Sequence, residues 1–153
     1  MRFVKSVFLL AGVSGVLLVV PAFFLERRAA DFDPPAVNHP EYFYGFVAVV
    51  LVYQLFYLLI ATDPVRYRPV MLLGALGKGS FAAAVVALYL AGRAAPLWLG
   101  LAAFDATWVV LFLVAYARTP AYKLPSVPEA RHMSNIGENH AGQGQPAREA
   151  GAY

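Results

Sequence analysis

Four long stretches with almost no charge constrain the fold of this chain more than any other feature. Val7 to Leu25 runs for 19 residues and Tyr42 to Thr62 for 21 without an Asp, Glu, Lys or Arg. Val70 to Gly92 runs for 23 residues with one charge, Lys78, and Leu97 to Ala117 for 21 with one charge, Asp105. A helix rises ~1.5 Å per residue, so about 20 residues cross a hydrocarbon core ~30 Å thick. Helices of a soluble bundle would carry polar residues every third or fourth position on the face that meets water, and these runs have no such face. Lipid-spanning strands would alternate in polarity over about ten residues, and no such alternation occurs. The expected fold is therefore all-α, an integral membrane bundle of four helices over residues 1–117. The composition agrees, with 60% hydrophobic and 14% charged residues against about 45–50% and about 25% in soluble domains. Cysteine is absent, which excludes disulfides, thiolate metal sites, iron–sulfur clusters and cysteine nucleophiles.

Short connections fix neighbours. Arg93 to Pro96 alone joins the third and fourth runs, so those helices are antiparallel neighbours, and Asp63 to Pro69 implies the same for the second and third. The first run follows Arg2 and Lys5 and contains Val20-Pro21-Ala22, a passable signal-peptidase site. Apolar residues continue through Phe23, Phe24 and Leu25, which makes the run long enough to remain as an anchor. With the N-terminus inside, the inner surface holds Arg2, Lys5, Arg66, Arg68, Arg118, Lys123, Arg131 and Arg148, and the outer surface Arg27, Arg28 and Arg93. The positive-inside rule then places both termini in the cytoplasm. Tyr42, Tyr44 and Trp98 fall at the outer interface, and Tyr67, Tyr116 and Tyr122 at the inner one, depths that suit amphipathic rings. The basic balance, a net charge of +3, reads as attraction to an anionic leaflet and not as nucleic-acid binding.

From Arg118 to Tyr153 the chain is rich in Pro, Gly, Ala, Gln and Glu and reads as a disordered cytoplasmic tail. His132 and His140 share no regular spacing with other ligand types, and solvated side chains are expected there. The outer loop Glu26–Glu41 contains Asp31, Asp33, His39 and Glu41 but no EF-hand pattern. With Pro34, Pro35 and Pro40 it reads as a polar, proline-rigid turn.

The most informative residues are Lys78 and Asp105. An ionised group near a helix centre costs about 2.5–3.5 kcal/mol on insertion scales, and such groups face protein or water and find partners. Counting residues puts Lys78 about 12 Å from the inner boundary and Asp105 about 12 Å from the outer one, so their levels differ by about 6 Å. A lysine side chain covers much of that distance, and a Lys78–Asp105 pair is expected. Gln54 falls at the level of Lys78, flanked by Tyr53 and Tyr57. Ser14 and Trp108 complete the candidate polar cluster, and Gly12, Gly15, Gly74, Gly77 and Gly79 permit close backbone approach. Such a cluster serves either as a clamp that fixes helix register or as a site for a polar head group, ion or proton.

Several chemistries lack their residues. The three histidines all lie outside the apolar runs, so axial haem ligation within the helices has no ligand. P-loop, GxSxG and HExxH motifs are absent, as are an arginine ladder and a filter sequence. No catalytic residue, cofactor or metal site is expected.

The segment Ala61-Thr62-Asp63-Pro64-Val65-Arg66-Tyr67-Arg68-Pro69, followed by Leu73-Gly74-Ala75-Leu76-Gly77-Lys78-Gly79-Ser80-Phe81, resembles the small four-helix bacterial membrane proteins called BphX-like or DoxX-like. Those proteins often carry an Asp-Pro turn followed by arginines, then a Gly-Lys pair in the third helix. Asp63, Arg66, Arg68 and Lys78 match that pattern. The resemblance implies a multi-pass four-helix protein of a bacterial inner membrane and no shared activity. Physically, Asp63 caps and Pro64 starts the turn, while Arg66 and Arg68 set topology or meet lipid phosphates. The expectation is a non-enzymatic accessory subunit, or a binder of a small lipophilic molecule through the buried polar cluster. Its partners are the bilayer and a membrane protein or a second copy of itself. The alternative is a proton- or ion-coupled transporter acting as an oligomer, although no inverted repeat is visible.

Overall fold

The structure, a computed structural model, describes residues 1–32 and 38–122. It contains α1 (Arg2–Ala22), α2 (Glu26–Phe32), α3 (Pro40–Thr62), α4 (Arg68–Leu90) and α5 (Leu97–Ala117), and no strand among the described residues. α1, α3, α4 and α5 are long and apolar enough to cross a membrane. The remainder of the expected tail, from Lys123 on, lies outside the described residues, as do Asp33, Pro34 and Pro35.

Helix bounds follow local chemistry more closely than they follow hydropathy. α5 coincides with its apolar run, and α3 and α4 each begin two residues before theirs. α1 begins five residues early, at Arg2, because Arg and Lys are good helix formers whose stems lie along the helix while their heads reach outward. Lys5 Nζ uses that reach to donate to the Thr62 carbonyl at 3.1 Å, a cation on the free carbonyl end of α3. Pro40 and Pro69 stand in the first turns of α3 and α4, where a missing N–H costs nothing. α4 ends in a Schellman motif: Gly92 takes φ 69°, its N–H donates to the Tyr89 carbonyl at 2.9 Å, and the Arg93 N–H donates to Leu88 at 2.8 Å. The stretch expected as a polar turn after Leu25 contains α2 instead. Its Glu-Arg-Arg-Ala-Ala sequence has high helix propensity, and Glu26 lies in the first turn, where a carboxylate suits the helix dipole.

α1 packs along α3 and α4 along α5, and these two pairs meet chiefly at one end. At that terminal end, Phe3 and Lys5, the 63–67 connection and Arg118 gather. Phe8 stacks on Phe112, with ring centroids 4.5 Å apart and planes 18° from parallel. Tyr57 sits 4.9 Å from Phe112 and 6.4 Å from Phe8. None of the three is more than 1% exposed. Together they form an aromatic plug, one residue from each of α1, α3 and α5, and α4 makes room for it with Gly74. A Cβ on Gly74 would lie 2.9 Å from Tyr57 Cε1.

Beyond Ala117 the order continues. Thr119 is buried, its Oγ1 donates to the Ala115 carbonyl at 2.7 Å, and its own carbonyl accepts from Arg68 Nε at 2.7 Å. The exterior, by contrast, is hydrocarbon. Leu10, Leu17, Leu76 and Leu90 are 60–79% exposed, while Gln54, Lys78 and Asp105 turn inward. That polarity is the reverse of a water-soluble domain.

Gly74→Val is expected to lower stability by about 1–3 kcal/mol, since the buried Tyr57 ring cannot yield. Gly100→Ala, where an added Cβ meets nothing within 4 Å, is expected to leave the unfolding temperature in detergent unchanged or slightly higher. Equal losses in both variants would contradict the packing described.

Candidate functional site

Away from the plug, the two helix pairs part to leave an open-sided chamber of about 580 Å³, whose wall residues Leu18 and Phe46 remain 57% and 52% exposed. Its walls are apolar and include Leu18, Phe46, Phe81, Leu101 and Phe104. Phe46 and Phe81 approach to 6.0 Å between ring centroids and link α3 to α4 along one side. The plug-side end of the chamber is polar. There Lys78 Nζ donates to Asp105 Oδ1 at 2.6 Å. The two side chains keep 11% and 17% of their surface exposed, and both line the chamber. Lys78 Nζ also lies 5.7 Å from the centre of the Tyr57 ring, within reach of its negative face. One lysine N–H is thus committed to Asp105, and the ammonium has two more to offer. The bond uses Asp105 Oδ1, and among the described residues no donor is seen on Oδ2.

Gln54 forms the α1–α3 side of this floor. Its Nε2 donates to the Val50 carbonyl at 2.9 Å. Its Oε1 is the one buried side-chain polar atom without a hydrogen bond among the described residues. A Cβ on Gly15 would overlap that oxygen. Only glycine lets the amide lie this close to the α1 backbone. Gly77 plays the same part for Tyr53, whose Cε1 would lie 2.9 Å from an added Cβ.

Of the sequence-derived cluster, Lys78, Asp105, Gln54, Tyr53 and Tyr57 converge on the chamber. Ser14 and Trp108 do not line it. Ser14 Oγ donates to the Ala11 carbonyl at 3.2 Å, a local bond within α1. Trp108 packs between Phe104 and Phe112, at 6.0 Å from each, and so supports the plug. Asp63, Arg66 and Arg68 form a separate constellation at the terminal end. Asp63 Oδ1 accepts from the Arg66 N–H at 3.2 Å and closes the turn itself. Arg68 stacks its guanidinium 3.8 Å above the centre of the Tyr116 ring while bonding Thr119, which ties the start of α4 to the end of α5.

The wall residues Phe46, Phe81 and Phe104 had no distinguishing sequence signal as a set, because an aromatic facing a chamber and one facing lipid look alike. Among the described residues no group of three His, Asp or Glu side chains converges as a metal site. His39 and Glu41 pair at 3.1 Å on the exposed surface. Comparison with known proteins returns no match to a family model, a curated sequence or a solved structure.

Removing one partner of an interior ion pair leaves an uncompensated charge, whereas removing both does not. Asp105→Leu is therefore expected to destabilise the protein by about 3 kcal/mol. Lys78→Met combined with Asp105→Leu is expected to recover most of that loss. Unfolding of both variants in detergent checks this. A double variant as unstable as the single one would show that the pairing is not what the interior requires.

Proposed function

We propose that this chain is a non-enzymatic four-helix bundle of the bacterial inner membrane that binds a small lipophilic molecule in its chamber, alone or as an accessory subunit of a membrane complex. The observation that carries the proposal is the chamber itself: apolar walls around ~580 Å³ with paired opposite charges at one end. That volume falls within the ~300–1,000 Å³ of small-molecule sites, which also combine apolar linings with a few convergent polar groups.

Both termini lie in the cytoplasm in this reading. Lys5, Arg66, Arg68 and Arg118 at the terminal end outnumber Arg27, Arg28 and Arg93 elsewhere, which supports that orientation. The resemblance to the BphX-like or DoxX-like group rests on the Ala61–Pro69 and Leu73–Phe81 residues alone and adds no activity. A coupled transporter is the weaker alternative, because a path from the chamber to the terminal end is blocked by Phe8, Tyr57 and Phe112, each at most 1% exposed.

Extraction of the membrane into polymer-bounded discs without detergent, followed by mass spectrometry of the released small molecules, tests the proposal. One lipophilic species is expected to be enriched over the surrounding bilayer. It is expected to be depleted from Ala84→Trp, whose indole obstructs the chamber, at unchanged unfolding temperature. Equal lipid content in the parent and the obstructed variant would refute the binding function.

A further inference from the structure

Resting on the chamber as a binding site, we propose that its ligand is a single-chain, uncharged amphiphile with a hydroxyl head group, of the monoacylglycerol or long-chain alcohol type. Three features of the chamber converge on that class.

The first is size. Water occupies about 30 Å³ per molecule in the liquid, and a methylene or hydroxyl group is similar. A chamber of about 580 Å³ therefore holds roughly twenty non-hydrogen atoms. That is the bulk of one acyl chain with a small head. The second chain of a two-chain phospholipid would have to remain outside the chamber.

The second is charge. Lys78 and Asp105 are bonded at 2.6 Å and cancel. An anionic head group at this floor would meet the Asp105 carboxylate as well as the ammonium, and a cationic one would meet Lys78. Lys78 and Asp105 are only 11% and 17% exposed, and beside a pair so buried among apolar walls such like-charge contacts are screened less than in water. A neutral head group avoids both.

The third is hydrogen-bonding capacity. The floor offers two N–H donors on Lys78 beside the second carboxylate oxygen of Asp105. A hydroxyl both accepts and donates, so it satisfies the two partners at once. An ether or ketone can only accept, and would leave the carboxylate oxygen without a donor. The chain then lies among Leu18, Phe46, Phe81, Leu101 and Phe104.

The test uses the full chain in phosphatidylcholine nanodiscs and three probes with the same diazirine-bearing chain: a monoacylglycerol, an alkyl sulfate and an alkyltrimethylammonium. A diazirine phosphatidylcholine serves as the two-chain comparison. Sites of labelling are located by peptide mass spectrometry. The monoacylglycerol is expected to label the chamber walls saturably, at least about tenfold above the other three probes, a difference that one or two unmatched hydrogen bonds account for. Asp105→Asn leaves Lys78 unbalanced and is expected to reverse the preference toward the alkyl sulfate. A purely structural ion pair would instead change labelling by all probes alike, and that result would overturn the inference.

Should Asp105→Asn not fold, Lys78→Met combined with Asp105→Leu removes both charges and both hydrogen-bonding partners of the head group. Saturable chamber labelling by the monoacylglycerol is then expected to fall about tenfold, and labelling equal to the parent's would overturn the inference. Saturable chamber labelling that favours a charged or two-chain probe in the parent would overturn the ligand class and leave the binding site standing. Absence of saturable chamber labelling by every probe would overturn both.

Discussion

An exterior of hydrocarbon leaves the interior as the one place where polar groups can be satisfied. Leu10, Leu17, Leu76 and Leu90 turn outward, and a surface of that kind is stable against acyl chains and not against water. An ionised group deep within the long helices must then meet a partner inside the protein. Lys78 and Asp105 meet that condition with a single 2.6 Å bond between neighbouring antiparallel helices. The Schellman turn at Gly92 and the short link to Leu97 place those helices side by side. Loop geometry, helix pairing and charge pairing are thus one constraint met at three scales.

The chamber follows from an uneven distribution of large side chains. Phe8, Tyr57 and Phe112 fill the terminal half, and Met71, Ile60 and Val4 pack around them. In the other half, the small side chain of Ala84 lines the gap and cannot fill the space between the two helix pairs. Small residues at an interface usually draw helices together. Gly12 and Gly15 do so within the α1–α3 pair, where Leu58 and Gln54 press against them. Between the pairs the aromatic plug acts as a spacer. It holds the pairs together at one end and leaves the chamber open beyond it.

Much of the helical framework was legible in the residues alone. An uncharged run of about 20 residues has few alternatives to a spanning helix, and α5 begins and ends where its run does. The Lys78–Asp105 pair was legible for the same reason, since two isolated opposite charges on neighbouring apolar helices have few other partners. The start of α1 and the existence of α2 were not legible from hydropathy, because charged helical turns carry no apolar signal. Nor was the chamber. Whether Phe46 faces a cavity or a lipid depends on helix rotation, which uniformly apolar helices do not encode in their sequence. Trp108 illustrates the difficulty, for it shares a helical stripe with Asp105 yet supports the plug. Arg68 does too: an arginine at a membrane surface signals topology, while its seat on Tyr116 and Thr119 is set by tertiary packing.

Four crossings of the bilayer are the claim on which the chamber, its charge pair and its ligand class all rest. The chain contains no cysteine, so single cysteines placed at Glu41, Arg66, Arg93 and Tyr122 report sidedness without background. Labelling of intact cells with a membrane-impermeant maleimide measures it directly. Four crossings with cytoplasmic termini require Glu41→Cys and Arg93→Cys to react from outside, and Arg66→Cys and Tyr122→Cys to react only after the membrane is opened. Reaction of Arg66→Cys and Arg93→Cys from the same side would contradict it.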